Sequence, residues 1–203
     1  MKIFENKTNN FLAYTIMDPK KFRKQYLQCA PDLSKAMEYV QLQLSSLPSS
    51  EFKFESNIKP YASVKRKMEV DNVSDPIELS DLVRGRLFFS EQFSFKEIVD
   101  IIKRLFGDKV KTIDKKNNKS TEYGLEYCGV VHINLHINGI NFELQILPME
   151  FKPHKEFLHQ IYERFRNPKE SAKMSDKQKA FLRKMHNEIY KAIDKKSKEA
   201  RHL

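Results

Sequence analysis

At 203 residues, with 40% apolar side chains, fifteen Phe and eight Tyr, the chain is long enough for one domain with its own core and needs no staples. A net charge of +10 and a pI near 9.4 favour an anionic partner such as nucleotide, RNA or an acidic membrane. The two cysteines, Cys29 and Cys128, speak against a disulfide scaffold or a zinc site, and the lack of an apolar signal region or of a run of about 18 apolar residues predicts a cytoplasmic protein with no membrane span.

The chain opens on helical signals. Phe22, Tyr26, Leu33, Met37, Val40 and Leu44 recur at roughly helical spacing across residues 18–47. Asp18-Pro19 reads as an N-cap followed by proline at the first helical position. Pro31 predicts a break into two helices, 19–29 and 32–47, and Leu47-Pro48-Ser49-Ser50 is a stop. Residues 52–61 alternate weakly, as a strand does. Ser63 is placed to cap a Lys/Arg-rich helix over 63–69. Residues 71–80 read as loop, and 82–89 as a short buried strand. Residues 93–106 form an amphipathic helix with Phe95, Ile98, Val99, Ile102, Leu105 and Phe106 inward, ended by Gly107-Asp108. A short strand at 110–113 and a polar loop at 115–121 follow.

Residues 129–147 read as a β-hairpin with two chemically opposite faces. Asn138-Gly139 suits the φ > 0 geometry of a two-residue turn. Counting outward pairs Ile137 with Ile140, His136 with Asn141, Leu135 with Phe142, Asn134 with Glu143, Ile133 with Leu144, and His132 with Gln145. One face is then apolar from Val131 to Ile146. The other carries His132, Asn134, His136, Asn141, Glu143 and Gln145. Such a face is either solvated surface or the floor of a site.

Two helices close the chain, 149–166 and 175–198. The order of elements predicts an α+β fold, a mixed β-sheet flanked by helices, with no G-x-G-x-x-G and no P-loop. Residues 1–48 are N-terminal helices, 49–166 the core and 167–203 a basic C-terminal helix, all in one globular domain. From Lys173 to Leu203 there are ten Lys/Arg against four Asp/Glu. An amphipathic helix with a solvated basic face is the favoured reading, and a surface for RNA phosphates is the alternative.

Three segments concentrate groups that bind anions or metals. In Lys59-Pro-Tyr-Ala-Ser63-Val-Lys-Arg-Lys67, backbone N–H, hydroxyl and ammonium can hold phosphates together, or the segment is a solvated helix start. In Asp81-Leu-Val-Arg-Gly-Arg86, charge inside an apolar strand demands pairing. It is an internal Asp–Arg ion pair, or Asp81 on Mg²⁺ with Arg86 on a phosphate. Strict alternation sets Asp81 opposite Arg84 and Arg86, a constraint that its place at the strand entrance loosens. The third segment is the hairpin face, centred on Glu143. One Asp and one Glu from separate strands make a minimal Mg²⁺ site when substrate phosphates supply further oxygens. With Lys and Arg beside them, such a site has the parts that phosphoryl or pyrophosphoryl transfer requires.

Lys59-x-x-x-Ser63-x-x-x-Lys67, Asp81-x-x-x-x-Arg86, an aromatic loop leading to His132, and Glu143-x-Gln145-Ile146, in this order, resemble the synthetase domain of the RelA/SpoT family. His159-x-x-Tyr162-Glu163-x-x-Arg166 resembles the helix that follows in compact members. The resemblance spans residues 50–166 and implies a synthetase-only member with a mixed sheet distantly like nucleotidyltransferases. It implies transfer of the β,γ-pyrophosphate of ATP to the ribose 3′-hydroxyl of GDP or GTP, making the alarmones ppGpp and pppGpp. Asp81 would hold Mg²⁺, and Glu143 would hold it or act as base. Lys59, Ser63, Lys67 and Arg86 would bind ATP phosphates. Tyr123 or Tyr127 would stack on the acceptor base, with His132, Asn134 and Gln145 lining the acceptor site. Small members often form homo-oligomers.

The departures from the family pattern lie at both substrates. Asn57 stands where an adenine-stacking Arg is usual, Leu147 where an Arg usually follows E-x-Q-I, and Arg84 where a small residue is usual. The acceptor loop, Glu126-Tyr-Cys-Gly-Val-Val-His132, shifts its Tyr by one and lacks the Ser. With the basic tail, this favours an alternative: a toxin that pyrophosphorylates the 3′ end of tRNA and is neutralised by an antitoxin. A third reading is a degenerate domain that binds nucleotide or RNA without catalysis. Retention of both Asp81 and Glu143 argues against it.

Overall fold

The computed structural model describes residues 19–71, 73–116, 119–120, 123–127 and 130–199. Helix α1 (Pro19–Leu44) leads into β1 (Phe52–Ile58) and α2 (Tyr61–Asp71). A 3₁₀ turn at Pro76–Glu78 precedes β2 (Val83–Phe89), α3 (Phe95–Phe106) and β3 (Val110–Lys116). Two short strands, β4 (Lys119–Ser120) and β5 (Glu126–Tyr127), pair with each other. The hairpin is β6 (Val130–Ile137) and β7 (Ile140–Pro148). After a 3₁₀ stretch, Met149–His154, come α4 (Lys155–Arg166), α5 (Pro168–Lys173) and α6 (Asp176–Glu199).

The five long strands form one sheet in the order β1-β2-β7-β6-β3. Among the described residues only β2 and β7 run parallel; the other neighbours are antiparallel, so the sheet is mixed as expected. Every hairpin pair counted from Asn138-Gly139 occurs, and both turn residues have positive φ, 51° and 84°. The side-chain period of two fixes all the pairs once the turn is placed.

The apolar face of the sheet packs under α1 and α3. Ile133, Leu135, Ile137, Phe142, Leu144 and Ile146 meet Leu33, Val40, Ile98, Ile102 and Phe106 in one buried cluster. Helix α3 starts at a capping box: the Ser94 side chain accepts from Glu97 N, and the Glu97 carboxylate accepts from Ser94 N.

Pro31 does not break the first helix, contrary to the expectation of two helices. A proline inside a helix costs about 3 kcal/mol. Continuity keeps Cys29 on one stripe with Leu33, Ala36, Val40 and Leu44, all buried. It also aligns Tyr26, whose ring meets Tyr61 edge-on at 5.6 Å and whose hydroxyl donates to the Lys59 carbonyl at 2.9 Å. Those nonlocal contacts offset a local cost.

Other boundaries move by smaller amounts. The first strand ends at Ile58, and α2 starts at Tyr61, two residues before the predicted cap Ser63. Pro60 stops the strand, and its carbonyl accepts from Ser63 N at 2.9 Å and Val64 N at 3.0 Å. Residues 119–120 of the predicted polar loop are strand β4, and α5 is an additional short helix opened by Pro168 behind the Asn167 cap. Among the described residues no helix is long and apolar enough to cross a membrane.

Gly85 sits at the centre of β2, on the apolar side. A Cβ there would lie 2.6 Å from Phe54 Cε2 and 2.9 Å from Phe142 Cε1 and Cζ. The two rings close over the glycine from the flanking strands. Gly85→Ala is expected to cost about 1–3 kcal/mol through overpacking, lowering Tm by about 2–12 °C for a chain of this size. A melting curve of the variant checks it, and an unchanged Tm contradicts it.

Candidate active site

Register places ten polar side chains of the sheet in two rows. The first runs Asn57, Arg84, Glu143, Asn134, Thr112 across β1, β2, β7, β6 and β3. The second runs Glu55, Arg86, Gln145, His132, Asp114 across the same strands. Partners across neighbouring strands share a face, so all ten lie on one side of the sheet. The sequence segments that carry Arg86, His132, Asn134, Glu143 and Gln145 are thus brought together.

Lys59 and Asp81 stand at the open end of β1 and β2. Lys59 N donates to the Leu82 carbonyl at 2.9 Å, one step past the last β1–β2 pair, which fixes both residues beside the first row. Asp81 lies in the turn before β2, so the alternation that would set it opposite Arg84 and Arg86 does not apply. Its carboxylate meets Arg84 Nη2 directly. It also accepts from Lys59 Nζ at 2.7 Å, and Lys67 Nζ lies 2.9 Å from the other oxygen. The residue is 4% exposed. Burial pushes its carboxyl up, but Lys59, Lys67 and Arg84 together outweigh that and hold it well below the usual carboxylate range.

Glu143 faces Arg84 from β7, with Arg84 Nε 3.7 Å from Oε1. Gln145 Nε2 donates to Oε1 at 2.9 Å, and His132 Nδ1 lies 3.5 Å from Oε2. Burial raises the Glu143 carboxyl, and His132, Arg84 and Gln145 more than reverse it, so its pKa is lowered. Arg86 Nε donates to Gln145 Oε1 at 3.2 Å, completing a chain Arg86–Gln145–Glu143–Arg84–Asp81. Two carboxylates therefore face four cations, Lys59, Lys67, Arg84 and Arg86, on a partly open surface. That balance suits a polyphosphate.

The carboxylates also suit Mg²⁺ in donor type, since both are hard oxygen ligands. Among the described residues no group of three or more His, Cys, Asp or Glu forms a metal cluster. Any metal there would complete its coordination with ligand oxygens and water.

Beyond the second row the same face turns apolar. Phe88 and Leu147, partners on β2 and β7, pack with Val130 beneath Phe151, Leu158, Tyr190 and Ile193. Leu147 thus has a structural use: it floors the seat of α4 and α6, where a charged side chain would be buried. Glu55 anchors the edge of this seat through Lys152 at 2.9 Å and Lys155 at 2.6 Å.

Helix α6 also holds the loop before the hairpin. Arg183 Nε donates to the Tyr123 carbonyl at 2.7 Å, Asn187 Oδ1 accepts from Glu126 N at 2.9 Å, and Lys191 Nζ lies 3.1 Å from Glu126. Tyr123 packs edge-on against Tyr162 at 6.3 Å, with Leu125, Ile161, Phe165 and Leu182 around it. Part of the basic tail is therefore structural. Tyr127 lies on β5, and its side chain is outside the described set, as is Cys128. Ser63 sits half-buried in the first turn of α2, four residues and so about one turn before Lys67. Sequence reasoning had taken Arg84 as a departure and passed over Thr112 and Asp114; the alternation of β3 was the available signal for those two.

No protein-family model matches the sequence, and no curated protein does. Solved structures do resemble this one. A GTP pyrophosphokinase family protein from Streptococcus pneumoniae superposes with a TM-score of 0.57 at 18% identity, covering 90% of this chain and 92% of that one. The small alarmone synthetase 1 from Bacillus subtilis, bound to its product pppGpp, gives 0.57 at 17% identity, covering 89% and 97%. The Type VI effector Tas1, in complex with its immunity protein, gives 0.55 at 18% identity, covering 88% and 98%. The mixed sheet, its helices and its length all match, and the chain has the fold of the compact RelA/SpoT-type synthetases.

Proposed function

We propose that this chain is a Mg²⁺-dependent pyrophosphokinase that moves the β,γ-pyrophosphate of ATP to the ribose 3′-hydroxyl of GDP or GTP. The observation that carries the reading is the convergence of Lys59, Lys67, Asp81, Arg86, Glu143 and Gln145, from four separate elements, on one face. Lys59, Lys67, Ser63 and Arg86 would bind the donor phosphates, and His132, Asn134 and Gln145, with Tyr123 or Tyr127, the acceptor nucleoside. Asp81 and Glu143 would hold Mg²⁺, which supplies charge neutralisation on the transferring phosphates when bound. Glu143 is kept ionised by its three neighbours. A carboxylate held low is a poor proton acceptor at neutral pH, which supports the metal role over the base role.

The alternative acceptor is the 3′ end of tRNA. What favours it is α6, which holds the acceptor-side loop with Arg183 and Asn187 and exposes Lys177, Lys184 and Lys195 to solvent. The likeness to an effector solved with its immunity protein fits the same reading, which would add a neutralising protein partner. One incubation separates the two: γ-labelled ATP, Mg²⁺ and GDP, GTP or bulk tRNA. Label on the guanosine nucleotide supports the first reading and label on tRNA the second; label on neither refutes both. If tRNA is the acceptor, Lys177→Glu with Lys184→Glu weakens its use about tenfold or more by removing phosphate contacts. Mononucleotide transfer is then nearly unchanged. Equal losses on both acceptors would remove α6 from the argument.

A further inference from the structure

The two carboxylates of the site are already bridged by a cation of the chain's own. Among the described residues, Arg84 is the group that reaches both: Nη2 contacts Asp81, and Nε lies 3.7 Å from Glu143. Its backbone is fixed by β1 on one side, where its partner is Asn57, and by β7 on the other, where its partner is Glu143. Gly85, under Phe54 and Phe142, presses this part of β2 into place from behind. The side chain is long and 31% exposed, so the guanidinium has room to swing without moving the strand. Neither carboxylate depends on it alone, since Asp81 keeps Lys59 and Lys67 while Glu143 keeps His132 and Gln145.

We infer that Arg84 is an internal counter-ion that competes with the divalent cation for Asp81 and Glu143, and that metal-bound nucleotide displaces it onto the donor phosphates. Ammonium groups on Asp81 leave lone pairs elsewhere on that carboxylate. Arg84 differs because it reaches both carboxylates, as a divalent ion held by Asp81 and Glu143 together would. A guanidinium cannot deprotonate to make way, so metal entry requires it to move. A polyphosphate arriving with the metal offers it a bidentate partner of higher charge. Metal and nucleotide then bind cooperatively, each removing what opposes the other. The free protein takes up metal poorly, and Arg84 makes nucleotide the condition for it. The nucleotide half of this inference rests on the pyrophosphate-transfer reading; the competition for the carboxylates does not.

The test is Mn²⁺ binding to the intact, nucleotide-free protein, followed by electron paramagnetic resonance, with wild type and Arg84→Gln side by side. Arg84→Gln is expected to bind Mn²⁺ at least tenfold more tightly, and Asp81→Asn added to it to abolish the gain. Equal or weaker binding by Arg84→Gln overturns the inference, as does failure of both proteins to bind Mn²⁺. With Mg²⁺ present, an α,β-methylene ATP analogue, which cannot be cleaved at the bond this transfer would break, is expected to bind Arg84→Gln at least fivefold more weakly, and Arg84→Lys to recover part of that loss. Unchanged analogue binding overturns the phosphate role. Melting curves establish that the variants are folded. A tighter Mn²⁺ site without pyrophosphate transfer would sink the functional reading and leave the competition standing. Transfer with unchanged Mn²⁺ affinity would do the reverse.

Discussion

Glu143→Gln is expected to reduce pyrophosphate transfer by at least about 10²-fold, the scale on which loss of one preorganised charge partner acts, while the melting temperature stays within a few degrees. The amide keeps the shape of the side chain and a hydrogen-bond acceptor for Gln145, now 2.9 Å away. What is lost is the negative charge between Arg84 and His132. Initial rates at saturating ATP, with a melting curve on the same preparation, make the measurement. Full activity in the variant would show that Glu143 is not part of the transfer machinery.

Asp81→Asn is expected to lose transfer and also to destabilise the fold. Three cations converge on this one buried carboxylate, and removing the charge leaves Lys59, Lys67 and Arg84 repelling one another. Lys59 is itself the most desolvated of them, with its pKa lowered by burial. Breaking a buried ion pair on one side typically costs about 3–5 kcal/mol, which corresponds to a Tm drop of about 6–20 °C in a chain of this length.

The pH dependence of that loss has a definite sign. The Asp81 carboxyl is depressed in the folded protein, so its contribution is present above its ordinary value of 3.8 and fades as pH falls below it, through the folded value. The stability gap between wild type and Asp81→Asn should be constant near neutral pH and narrow in acid. Urea titrations across that range test it, and a gap that widens in acid would contradict the pairing described for Asp81.

The hairpin was fully legible because Asn138-Gly139 sets the phase and a period of two carries it outward. The joining of its polar face to Arg84 and Arg86 was not, since β2 and β7 are separated by fifty residues and meet in parallel. Motif order supplied that link in place of local pattern. Asp81 looked misdirected only because alternation was carried past the start of the predicted strand, 82–89; β2 begins at Val83, and a turn frees a side chain from alternation. Pro31 misled for the opposite reason, a strong local signal overridden by the buried stripe of α1. The grip of Arg183 and Asn187 on the loop before the hairpin joins segments sixty residues apart. It has no trace in spacing or composition, where those residues read only as a basic, solvated tail.

The proposed reaction moves pyrophosphate as a unit. The direct measurement supplies ATP labelled at the β-phosphate, and in a parallel reaction at the γ-phosphate, with Mg²⁺ and the competent acceptor. Both labels should reach the acceptor in equal amounts, with AMP formed one for one. Movement of the γ label alone, leaving ADP, or release of either label to water with none on an acceptor, would contradict it.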